Sequence, residues 1–146
     1  MSRYLLDTPL VAAYLLGRPT AQALVNPWLI RREAATSIIV YGEVVEYLMG
    51  RSRFRERQQQ LLRLLQDVAP LFPTYSVLDR YAVLRRSMRP PFGAGLIGDI
   101  DTLIAATALE QNLTIVTTDR DFTRVPGLGV LLLDRATFTV TKEPFS

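Results

Sequence analysis

An α/β sandwich around a mainly parallel sheet is the fold class the sequence predicts, and three observations predict it. Helix-length segments alternate with short apolar, β-branched runs along the chain, the pattern left by strands joined through helical crossovers. The 146 residues are 49% hydrophobic and 21% charged, which suits one core of ordinary domain size and argues against disorder. No apolar stretch reaches the roughly 18 residues of a membrane span, and Asp7 interrupts the N-terminus before a signal-like segment can form. The expectation is a single cytoplasmic domain over residues 1–146 with no membrane partner.

The elements follow in order. Arg3 to Leu6 reads as a strand that stops at Asp7-Thr8, where either residue can cap a helix running to Leu16. Gly17, Pro19 and Thr20 mark a turn and a new helix start. The run from Ala34 to Val40 leads out of that helix into β-branched residues and predicts the second strand. Glu43, Val44, Tyr47 and Leu48 then keep helical spacing up to Gly50. A helix from Arg53 to Val68 carries Leu61, Leu62, Leu64 and Leu65 and ends before Pro70. Ala69 to Tyr75, broken by Pro70 and Pro73, fits only an edge strand. A helix from Ser76 ends at Arg89-Pro90-Pro91, and Ile100 to Glu110 forms an Ala-rich helix. Leu113 to Thr117 and Val130 to Leu133 complete the set as short buried-type strands.

Composition then narrows the chemistry. The chain has no Cys and no His, which excludes disulfides, thiol nucleophiles, zinc ribbons, Ser-His-Asp triads and HExxH metal sites. What remains is carboxylates, hydroxyls, Arg, the single Lys142, or a metal held by oxygen.

Charge is unevenly placed within a net of +3. Nine Arg (51, 53, 55, 57, 63, 80, 85, 86, 89) face three acids (Glu56, Asp67, Asp79) in the middle segment, which carries +6 against −3 for the rest. Such a segment is either a solvated helix face or a surface for phosphate backbones, and charge alone does not choose.

In a parallel sheet, ligands sit beyond the carboxyl ends of the strands. Asp7 follows the first strand, Glu43 lies just beyond the second, and Asp119 follows the Leu113 strand. Asp101 opens the helix before that strand, so the topology brings all four to one edge. Each has a structural alternative: Asp7 as an N-cap, Asp99 and Asp101 as complements of a helix dipole, Asp119 or Asp121 as turn residues. Gathered together, ionised carboxylates repel one another unless a cation neutralises them or one takes a proton. The matching cation is hard, Mg²⁺ or Mn²⁺, and such an ion activates water and steadies the charge of a cleaved phosphodiester without an imidazole.

The order Leu5-Leu6-Asp7-Thr8, then Glu43 after Ser37-Ile38-Ile39-Val40, then Asp101-Thr102-Leu103-Ile104-Ala105-Ala106, then Thr117-Thr118-Asp119-Arg120-Asp121-Phe122 resembles the PIN-domain ribonucleases. Among these it is most similar to the VapC toxins of bacterial and archaeal toxin–antitoxin pairs. The similarity runs from about Arg3 to Leu133 and is most specific over Asp101 to Phe122. It implies a PIN-like three-layer α/β/α sandwich and a Mg²⁺-dependent endoribonuclease acting on structured or single-stranded RNA. It also implies inhibition by a cognate VapB-like antitoxin, and commonly a homodimer. Carried over by position, Asp7 and Asp101 would be the principal metal ligands, with Glu43 and Asp119 completing the catalytic acidic site. Thr8 and Thr117 would hold the cluster through their hydroxyls, and Arg residues of the middle segment would hold RNA. Pro9 departs from the polar residue usual there, and Asp99 and Asp121 leave the choice within each acidic pair open, with Asp121 expected to cap the short helix before Phe122.

A reading of another class is a binding module whose acidic pocket captures a partner Arg and has no useful catalysis. An aspartyl-phosphate phosphatase is disfavoured, because that chemistry wants an Asp at position 9, which is Pro9. Tyr14, Trp28 and Phe54 stand between two roles, core residues or the lining of a groove for a dimer or antitoxin.

Overall fold

The computed structural model describes residues 1–138, so Lys142 lies outside the described residues. Five strands, β1 (Tyr4–Leu6), β2 (Ala34–Ser37), β3 (Ala69–Leu71), β4 (Thr114–Thr117) and β5 (Val130–Leu132), form one sheet in the order β3-β2-β1-β4-β5. Every neighbouring pair is parallel, which is the α/β/α architecture expected of strands connected through helices. The connecting helices are α1 (Thr8–Leu15), α2 (Pro19–Ile30), α3 (Ile38–Met49), α4 (Phe54–Leu64), α5 (Tyr75–Met88) and α6 (Asp99–Glu110). A 3-10 turn spans Arg120–Arg124, and a last helical turn, α7, covers Arg135–Phe138. Among the described residues no helix is long and apolar enough to cross a membrane.

The centre of the sheet is the most buried part of the chain. Leu5, Ile115 and Val116 are fully enclosed, and Leu6 nearly so. Both neighbours of β1 are hydrogen-bonded to it in parallel, and the Thr36 hydroxyl adds a 2.7 Å bond to the Leu6 carbonyl. The ladder continues one residue past β1, where the Asp7 amide donates to the Val116 carbonyl at 3.1 Å. The start of α1 is therefore fixed by the strands on which it stands. Pro9 fits this start without strain, because the first helical positions have no intrahelical partner for their N–H groups.

The second strand ends earlier than its β-branched run suggests. Ile38, Ile39 and Val40 belong to α3, because the Ser37 hydroxyl accepts the Ile39 amide at 3.1 Å and caps the helix there. Glu43 consequently stands on the second turn of α3 and not on a loop after a strand. The Pro-broken run is a true edge strand of three residues, paired only with β2.

Helix α6 lies close over the sheet because its inner face is small: Ile104, Ala105, Ala106 and Ala108 are all fully buried. It runs antiparallel to α5, since Arg80 near the start of α5 pairs with Glu110 at the end of α6 (2.9 Å) while Arg85 pairs with Asp99 at its beginning. The last turns of α5 thus stand beside the first turn of α6, which carries Asp101.

Candidate active site

The four acidic residues singled out in the sequence come together where β1, β4, α3 and α6 meet. Asp7 is the innermost, with 5% of its surface exposed. Its carboxylate does not cap α1; Oδ2 instead accepts the Thr117 hydroxyl at 2.7 Å, linking the end of β1 to the end of β4. Burial pushes Asp7 up to about 6, against the lowering effect of the Thr117 bond, and the charges of Glu43 and Asp119 push in the same direction as burial. Asp101 is also raised to about 6, first by burial and then by the charges of Asp7, Asp119, Glu43 and Asp121. The mutual repulsion expected of a carboxylate cluster is therefore present.

Hydroxyls set the remaining positions. Thr8 donates to Glu43 Oε1 at 2.7 Å, tying the first residue of α1 to the second turn of α3. Thr117 Oγ1, while donating to Asp7, also accepts the Asp119 amide at 3.0 Å. One side chain at the end of β4 thereby fixes two of the four acids.

The ambiguous pairs are separated by geometry. Asp99 turns outward to pair with Arg85, its side chain 68% exposed, whereas Asp101 faces the other acids. At the other pair the capping assignment is corrected. Asp119 caps the 3-10 turn, its Oδ1 accepting the Asp121 amide at 2.9 Å, and Asp121 stands at the rim 3.8 Å from Arg124. The expected cap, Asp121, is not the one used, because an Asp directly before Phe122 and one three residues before it look equally able to cap. The turn is held by fully buried Phe122, and by Arg124 Nη2 donating to the Leu96 carbonyl at 3.2 Å.

Of the aromatic residues weighed for a partner groove, Trp28 belongs to the core, stacked on Tyr4 with ring centroids 4.1 Å apart. Tyr14 does line a groove of ≈ 350 Å³ with Leu15, Arg63, Leu64 and Asp67, and Phe54 packs half-buried against the core.

The donor set fits a hard divalent cation in chemistry: four carboxylates, no nitrogen or sulfur ligand, and burial that, with the neighbouring negative charges, lifts Asp7 and Asp101 out of the ordinary range. Among the described residues no three acidic side chains already enclose a point as an ion cage, so ligation requires side-chain rearrangement among these acids.

Comparison with known proteins agrees with this fold. The family model of the PIN domain matches residues 4–128. Among solved structures, VapBC2 from Rickettsia felis, bound to a DNA fragment from its promoter, is similar with a TM-score of 0.77 at 23% identity, covering 90% of this chain and 98% of that one. DNA-bound VapBC from Salmonella typhimurium gives 0.76 at 19% identity over 90% and 98%. FitAcB from Neisseria gonorrhoeae gives 0.70 at 23% over 87% and 95%. With its fold, its strand-end acids and a family match over nearly all of its described length, the chain belongs to the PIN domain family.

Proposed function

We propose that this chain is a VapC-type toxin, an endoribonuclease that uses Mg²⁺, with Mn²⁺ as a possible substitute, to cleave RNA phosphodiester bonds. It is held inactive by a VapB-like antitoxin, self-associates as a homodimer and works in the cytoplasm. The observation that carries the nuclease reading is the convergence of Asp7, Glu43, Asp101 and Asp119 from four elements, where burial and the neighbouring carboxylates raise Asp7 and Asp101. The antitoxin is supported by the toxin–antitoxin complexes among the similar folds.

Asp7 and Asp101 would hold the ion, with Glu43 and Asp119 completing the ligand set. A Mg²⁺ bound there would supply Lewis-acid stabilisation of a phosphate and activation of a water at neutral pH. The chain's own contribution is positional. Thr117 holds Asp7 in one rotamer, Thr8 holds Glu43 toward the cluster, and the β4 backbone carries both Thr117 and Asp119. Basic residues of the middle segment would bind the RNA backbone. Within the protein Arg53 pairs with Glu56, Arg80 with Glu110 and Arg85 with Asp99, and Arg51 lies over the Tyr47 ring.

The test is RNA cleavage by the purified protein with Mg²⁺ and with a chelator, beside Asp7→Asn and Asp101→Asn. Mg²⁺-dependent cleavage lost in both variants is expected. Undiminished cleavage in both would remove the proposed site, and Mg²⁺ binding that fails to appear at all would favour the Arg-capturing pocket.

A further inference from the structure

We infer that Arg124 is a positioning residue: from the end of the 3-10 turn it holds the segment that leads into α6, and so sets the gap between Asp119 and Asp101. The inference rests on the cation-site reading above and adds to it a residue outside the four acids.

The two acids reach the site on unequal supports. Asp119 is held firmly: its amide donates to the Thr117 hydroxyl, its carboxylate accepts the Asp121 amide, and Phe122 and Val125 of the same turn are buried. Asp101 is reached through a looser segment. Gly93, Gly95 and Gly98 lie ahead of it, and Gly95 stands at φ +131°, where the backbone gains no restraint from a side chain. The N-cap of α6 is Gly98, so the entry of the helix is not set by the side-chain bond that a Ser, Thr or Asp would supply there. Buried Ile97 anchors one point of this segment.

Arg124 supplies another. Its Nη2 donates to the Leu96 carbonyl at 3.2 Å, two residues before the N-cap, and lies 3.8 Å from Asp121 Oδ1. One guanidinium thus reaches from the turn of Asp119 to the segment of Asp101, a span its long stem and several donors suit. The two sides also feel each other electrostatically, since Asp119 and Asp121 both push Asp101 upward. With 43% of its side chain exposed, Arg124 adds little as a charge, and its effect is directional. Mg²⁺ demands near-ideal ligand spacing, so the length of this strut is read in the affinity for the ion. The alternative for an Arg at this rim is a contact to RNA phosphate.

Three measurements on the full protein separate the two: calorimetric Mg²⁺ titration, binding of a short single-stranded RNA in chelator, and amide hydrogen exchange without metal. Circular dichroism confirms that the variant is folded. Arg124→Leu, which keeps much of the stem and removes the guanidinium, should raise the Mg²⁺ dissociation constant about tenfold and leave RNA affinity in chelator unchanged. Exchange should quicken between Gly95 and Asp101 while β1 keeps its protection. An unchanged Mg²⁺ constant, unchanged exchange over that segment, or a loss confined to RNA affinity would each overturn the role while leaving the cation site standing. An unaltered protein that binds no Mg²⁺ would overturn the site itself, and the strut with it.

Discussion

The two ends of the central sheet treat acids in opposite ways. At the amino end, Glu33 just before β2 is met by Arg3 at 3.3 Å and by Arg31, and these guanidinium groups hold its carboxyl below the ordinary range. At the carboxyl end, Asp7 and Asp101 stand among further carboxylates, and burial together with those charges lifts both to about 6. The same side-chain chemistry is a balanced structural clasp on one edge and an unbalanced charge on the other. A fold tolerates such an imbalance where the missing charge arrives with a ligand, and this contrast locates the site more sharply than any single Asp.

The contrast is broken most directly at its reactive end. Asp101→Asn should lower Mg²⁺-dependent RNA cleavage by roughly 10³-fold, whereas Glu33→Gln should leave it unchanged; single-turnover assays with a labelled RNA measure both. Next in size is stability. Asp7 has a folded pKa above its unfolded value of 3.8, so its contribution is fully favourable below that value and is lost as pH rises through about 6. Asp7→Asn, which keeps an acceptor for Thr117, should therefore stabilise the metal-free protein by about 3 kcal/mol at pH 8, with little gain near pH 4. Urea unfolding at the two pH values checks this; Glu33 and Glu56, whose carboxyls are shifted the opposite way by neighbouring guanidinium groups, do not oppose it.

A smaller effect is expected from the groups that position the acids. Thr117→Val removes the bond to Asp7 and the anchor of the Asp119 amide together, and should cost about 10- to 100-fold in Mg²⁺ affinity or cleavage. Thr8→Val, which frees only Glu43, should cost less in the same assay. Smallest of all, Asp99→Asn removes an exposed pair with Arg85 and should change stability by no more than about 0.5 kcal/mol and cleavage hardly at all.

Much of this is legible in the sequence alone. Alternating periodicity placed the strands, and strand-end position marked Asp7, Asp101, Glu43 and Asp119, because a parallel sheet leaves few other places for a site. What escaped were local contests decided by one hydrogen bond. Ile38-Ile39-Val40 carries strand propensity, yet the Ser37 cap turns it into helix. Asp119 and Asp121 offer equivalent caps in sequence, and the Asp121 amide chose Asp119. Asp99 and Asp101 were divided by Arg85, fourteen residues away on another helix, which no local pattern reveals. Trp28 stood between core and groove in sequence, and its stacking on Tyr4, the first residue of the central strand, places it in the core.

The claim that the carboxyl-edge acids form a cation site is tested most directly by titrating Mg²⁺ into the purified protein in a calorimeter at pH 7.5 and pH 5. The account predicts binding at pH 7.5, weaker binding with proton release at pH 5 where Asp7 and Asp101 are largely protonated, and no binding to Asp101→Asn. Equal binding by the unaltered protein and Asp101→Asn, or no binding by either, would contradict it.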